Sequence, residues 1–124
     1  MSVTSEPKQK YLINIQEGAN HLERATISLI LAVSASKEHE AAMFVTSDAS
    51  DLCVKGGSDN LVAKGLEPIS DLMSQFVSNG GKIWLCKICA KVKGIKEEDL
   101  IEGVFIVGAP TSMAFLASGG KVLS

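Results

Sequence analysis

The sequence predicts an α/β fold: a three-layer α/β/α sandwich around a mostly parallel, about five-stranded sheet of flavodoxin type. Three observations carry this. Short apolar stretches alternate along the chain with segments whose apolar residues recur at helical spacing. The apolar stretches, among them AAMFVT, KIWL and VFIV, are nearly uninterrupted, as strands covered on both faces of a parallel sheet are. Finally, "SNGGKIWLC" and "ASGGKVLS" share one grammar of helix end, glycine pair, lysine and strand, which is the helix-to-strand joint of a doubly wound protein.

Residues 1–9 (MSVTSEPKQ) are polar and read as a flexible leader to one domain over residues 10–124. Residues 11–15 (YLINI) form the first strand, broken by Gly18-Ala19-Asn20. Asn20 and Glu23 have the spacing of a capping box, so a helix should run from His21 to about Lys37. Residues 41–46 (AAMFVT) are the second strand. Residues 47–50 are a turn with Asp48 as a cap, leading into a short helix over residues 49–55. Residues 61–65 fit a strand or a loop equally. Glu67-Pro68 opens the next helix with proline in its first turn, where the missing N–H costs nothing. Ile69, Leu72, Met73, Phe76 and Val77 follow at helical spacing, and Asn79-Gly80-Gly81 ends the run. Residues 82–85 (KIWL) are the third strand, residues 87–93 a helical turn or two stopped by Gly94, and residues 96–100 (KEEDL) a short acidic helix. Residues 104–107 (VFIV) are the fourth strand, 110–117 a helix stopped by Gly119-Gly120, and 122–123 a last short strand.

Composition narrows the function. Twelve basic against fourteen acidic residues give a net charge of −2, so no basic field exists to hold a nucleic acid. No apolar run approaches the ~20 residues of a membrane-spanning helix, and the first ten residues lack the apolar stretch of a secretory signal. Three cysteines are an odd number for a disulfide scaffold and fit free thiols in a reducing cytoplasm. At 46% hydrophobic the chain holds more apolar material than a small soluble monomer needs. The first helix, with Leu22, Ala25, Ile27, Leu29, Ile30, Leu31, Ala32 and Val33, leaves little of its circumference polar. One covered stripe would suffice for a helix on a sheet, so the second predicts a homo-oligomer or a neighbouring helix of the same chain.

The chemistry centres on "WLCKICAKVKGI". Cys86 follows the third strand directly, at the carboxyl end where open parallel sheets gather their ligands, and at the start of a helical turn. Unpaired N–H groups there, with Lys87, Lys91 and Lys93 nearby, favour a thiolate and hence a nucleophile. The plainer reading is a buried, inert cysteine. Cys89, one turn later, either approaches Cys86 or faces the core, and Cys53 reads as structural. A structural zinc site wants four ligands; one Cys-x-x-Cys with a distant Cys53 and isolated His21 and His39 does not supply them, so no metal is expected. Thioredoxin-like exchange also uses a Cys-x-x-Cys beside tryptophan, but the only candidate proline, Pro110 in "GAPTS", stands where a helix begins. No dinucleotide, Walker or nucleophile-elbow motif occurs, and no cofactor is required. The loops "GANH", "TSDAS" and "GAPTS" converge on the same sheet edge. They make Asn20, Asp48, Gly108 and Ala109, with Lys87, the binding candidates, each also explicable as a cap or a turn.

"GANHLERAT", "FVTSDAS", "GGKIWLCKICAKVKGI" and "DLIEGVFIVGA", in this order, resemble the DsrE/DsrF-like family, which includes the DsrE and TusD sulfur-relay proteins. The resemblance covers nearly the whole chain from Lys10. It implies a DsrE-type sandwich, often assembled as a trimer or hexamer, and carries the active cysteine over to Cys86, nine residues before Ile95. Cys89 matches a position that is not a cysteine in the TusD-like pattern, although other branches have a similar pair. His21 stands where the family often has aspartate, so no role transfers there. The resemblance implies a possible sulfurtransferase: Cys86 accepts sulfane sulfur as a persulfide from a rhodanese-like or TusA-like donor and passes it to an acceptor thiolate. Two alternatives stay open: a non-catalytic oligomeric module that binds a small ligand, and a thiol–disulfide redox protein using Cys86 and Cys89.

Overall fold

The computed structural model describes residues 8–123. Five strands, β1 (Lys10–Ile15), β2 (Glu40–Val45), β3 (Lys82–Cys86), β4 (Val104–Val107) and β5 (Gly120–Leu123), form one all-parallel sheet in the order β4-β3-β2-β1-β5. The helices are α1 (Leu22–Glu38), α2 (Ile69–Ser78), α3 (Lys87–Lys93) and α4 (Ala109–Ala117). Residues 1–7 of the expected leader lie outside the described residues. Gln9 is already tied to the body: its N–H donates to His39 Nδ1 at 2.9 Å and its carbonyl accepts from Glu40 N–H at 3.0 Å.

The strand order dictates the layers. From β1 to β4 every connection steps the same way, and right-handed crossovers then put all three helices on one face. The return from β4 to β5 steps the opposite way, so α4 takes the other face. The cores follow. On the first face Ile13, Ile15, Met43, Val45, Ile83 and Leu85 pack under Leu29, Ala32, Leu72 and Phe76. On the second, Leu12, Ala42 and Trp84 meet only Phe115 and Leu116 of α4, with Trp84 and Phe115 edge to face at 5.5 Å. The sheet is therefore not covered on both faces to the same extent. Phe105 on edge strand β4 is 60% exposed.

Several local expectations change. Asn20 does not cap α1: residues Ala19–His21 form a 3₁₀ turn, and the residue before α1 is His21, without a side-chain cap. Asp48 caps nothing either; Ser47–Cys53 is a 3₁₀ helix. Pro68 precedes α2 rather than lying in its first turn. Residues 61–65 are loop and turn. The acidic segment is a single 3₁₀ turn, Glu97–Asp99, with Asp99 Oδ2 accepting from Lys96 N–H at 2.9 Å. On α1, Ile27, Ile30 and Leu31 stay exposed, so no neighbouring helix among the described residues covers that stripe.

Candidate functional site

The same strand order defines one crevice. The connection leaving β3 goes to the α3 face and the connection leaving β4 goes to the α4 face. Beyond the carboxyl ends of these neighbours the sheet is therefore open, the arrangement at which doubly wound proteins hold ligands. Cys86 is the last residue of β3 and pairs with Val107, the last of β4. Lys87 opens α3, and Gly108 and Ala109 lead into α4. Four of the seven candidate residues thus stand around one opening.

Alternation along β3 assigns the side chains. Ile83 and Leu85 enter the first core and Trp84 the second, so Cys86 points to the α4 side, partly exposed. It precedes α3 with φ −58° and ψ 125° and makes no side-chain cap to the helix. Gly94, at φ 71°, ends α3 in the left-handed region that a β-carbon penalises. With Ala90 buried, α3 places Cys89 toward the loop after β2, where Cys89 Sγ accepts a hydrogen bond from Ser47 N–H at 3.3 Å. Ser47 reaches this geometry with φ 53°, uncommon for a residue with a side chain. The sequence offered no sign of this donor, because neither glycine nor asparagine marks the left-handed position.

Asn20 and Asp48 meet each other instead of helix ends. Asn20 Nδ2 donates to Asp48 Oδ2 at 3.1 Å and to Glu17 Oε1 at 3.3 Å, while its Oδ1 accepts from Gly18 N–H at 2.8 Å. Gly18 lets the two loops touch, since a β-carbon there would lie 2.7 Å from the Asp48 carbonyl oxygen. The pair braces the loop that presents Ser47 to Cys89. At the other wall, Thr111 N–H is already used by the Gly108 carbonyl at 3.1 Å, and Pro110 has no N–H. Of the first residues of α4, Ala109 is left to offer its amide.

The three thiols differ in environment. Cys53 is fully buried, and burial, with a smaller contribution from Asp51, raises its pKa from 9.0 to about 12. It is a core residue. Cys86 and Cys89 are partly exposed, and all three are free. A surface cleft of about 360 Å³ is lined by Ser58, Asp59, Ser74 and Glu102, away from both cysteines. Among the described residues, no group of His, Cys, Asp and Glu could hold a metal ion, and no helix is long and apolar enough to cross a membrane.

The sequence model of the DsrE/DsrF-like family matches residues 9–124. The chain belongs to the DsrE/DsrF-like family. Among DsrE/DsrF-like relatives, it is 32% identical over 108 residues to the uncharacterized protein MJ0760 of Methanocaldococcus jannaschii, covering 86% of this chain and 39% of that protein. The chain thus spans about two fifths of that relative's length. It is 35% identical to the uncharacterized protein MK0008 of Methanopyrus kandleri, over 73% of this chain and 72% of the relative. The fold is that of the ychN protein from E. coli, with a TM-score of 0.72 at 24% identity over 94% of this chain and 98% of the other. MTH1491 from Methanobacterium thermoautotrophicum, a protein of unknown function, superposes with a TM-score of 0.68 at 17% identity, covering 94% of this chain and 98% of its own.

Proposed function

We propose that this protein is a sulfur carrier, a possible sulfurtransferase working in a reducing compartment as part of a homo-oligomer. Cys86 thiolate attacks a donor's persulfide or polysulfide at its outer sulfur. The donor's S–S bond breaks, its thiolate leaves, and Cys86 holds the sulfane sulfur as a persulfide. An acceptor thiolate then attacks that outer sulfur, forming a new persulfide, and Cys86 thiolate is the leaving group. No net oxidation occurs in either step. Rhodanese-like and TusA-like proteins are the donor class that family membership suggests.

The observation that carries this reading is the position of Cys86: partly exposed, the last residue of β3, at the crevice where the connections of β3 and β4 part. Cys89 supplies a second exit: its thiolate attacks the inner sulfur of the Cys86 persulfide, releasing hydrosulfide and leaving a Cys86–Cys89 disulfide that a dithiol then reduces. The Ser47 N–H, 3.3 Å from Cys89 Sγ, holds that sulfur in place.

Incubation with a sulfane donor followed by intact-mass measurement tests the proposal. Wild type and Cys89→Ser gain about one sulfur atom and Cys86→Ser gains none. Without an acceptor, the Cys89→Ser protein keeps its sulfur while wild type loses it as hydrosulfide. Equal loading of Cys86→Ser would refute the assignment.

A further inference from the structure

Among the described residues, nothing covers the outer face of helix α3, which carries Cys89 and follows Cys86. Its inner face is fixed by Ala90, buried in the first core. On the opposite side Ile88 is 73% exposed and Val92 79% exposed, four residues apart and therefore stacked on one face. These are the most exposed large hydrophobics of the described residues. Lys87 and Lys91 run beside them at the same spacing and form no ion pair within the described residues, while Lys93 is tied to Asp51 at 3.6 Å. The face is thus an apolar pair edged by two unneutralised positive charges, one turn from the crevice.

That pattern differs from the bare apolar stripe of α1. Ile27, Ile30 and Leu31 of α1 suit a permanent contact between copies, whose centre excludes charge. A second copy on α3 across a two-fold axis would bring lysine toward lysine, a costly juxtaposition. An acidic surface with an apolar centre would be attracted instead. We infer that the outer face of α3 is the docking surface for the sulfur-exchanging partner, and that it takes an acidic protein segment presenting an apolar side chain and a cysteine. Ile88 and Val92 supply the anchor and Lys87 and Lys91 the selection, and the bound segment continues past Lys87 around the carboxyl end of β3 to bring its thiol to Cys86. The inference rests on the relay proposal for the identity of the exchanged group, not for the docking itself.

The probe is a synthetic peptide with leucine and cysteine among glutamates, compared with the same peptide carrying lysines in place of the glutamates. Binding is read from the fluorescence anisotropy of the labelled peptide, and its place from the Ile88 and Val92 methyl resonances of the wild type, using serine-for-cysteine versions so that no sulfur chemistry is needed. The acidic peptide should bind at least about tenfold more tightly at low salt, and the advantage should vanish near about 1 M salt. Lys87→Gln with Lys91→Gln should remove the preference. Ile88→Ser with Val92→Ser should weaken acidic-peptide binding severalfold and leave sulfur loading from a small donor unchanged. Equal binding of the two peptides overturns the inference, as does an Ile88/Val92 variant that binds normally or that changes its oligomeric mass. If peptides discriminate but Cys86 never loads, the relay proposal fails and the docking surface stands.

Discussion

At the scale of single residues, three cysteines of one chain have three surroundings. Cys53 is sealed among Ala49, Leu52 and other core side chains, and its pKa near 12 keeps it a thiol. Because the folded state holds this proton more tightly than the unfolded state, Cys53 stabilises the fold below pH 9. That contribution falls by about 1.4 kcal/mol per pH unit above it. A denaturation series from pH 8 to pH 11 should show this slope in wild type, flattened in Cys53→Ala. In the native protein near neutral pH, an alkylating reagent should modify Cys86 and Cys89 and spare Cys53. The sequence made Cys53 legible as structural because it falls late in an apolar turn. It did not reveal how Cys89 is used, since the Ser47 N–H comes from 42 residues away and from a serine with positive φ.

Among the elements, local signals held wherever nothing distant competed. Gly94 stops α3 as its position in "KVKGI" implies, with φ 71° and open space around it. Gly94→Ala should therefore cost only the left-handed strain, about 1 kcal/mol in chemical denaturation, and spare sulfur loading. Gly18→Ala should cost more, because its β-carbon meets backbone and not solvent. It would also push apart the loops that Asn20 and Asp48 join, exposing the Ser47–Cys89 contact. The capping-box reading of Asn20 failed for a physical reason. A cap needs the asparagine Oδ1 to accept an N–H of the helix, and here that oxygen accepts from Gly18 N–H while the amide nitrogen reaches Asp48, twenty-eight residues on.

For the whole molecule, apolar runs and αβ joints announced a parallel sheet, but not the order in which strands pair. That order, with three steps one way and one step back, sets the thin α4 layer, the bare Phe105 and the crevice beside Cys86. The exposed α1 stripe should close against another copy. Light scattering should find wild type heavier than a monomer and Ile27→Asp with Leu31→Asp reduced toward one. The central claim, however, is where sulfur is held, and the chain suits a direct reading. Trypsin cuts after Lys82, Lys87 and Lys91, putting Cys86 and Cys89 on separate peptides, IWLCK and ICAK. After a sulfane donor and trapping with an alkylating reagent, the added sulfur should map to IWLCK. Sulfur found instead on ICAK or on the Cys53 peptide, or on none with IWLCK and ICAK not joined by a disulfide, would contradict the account.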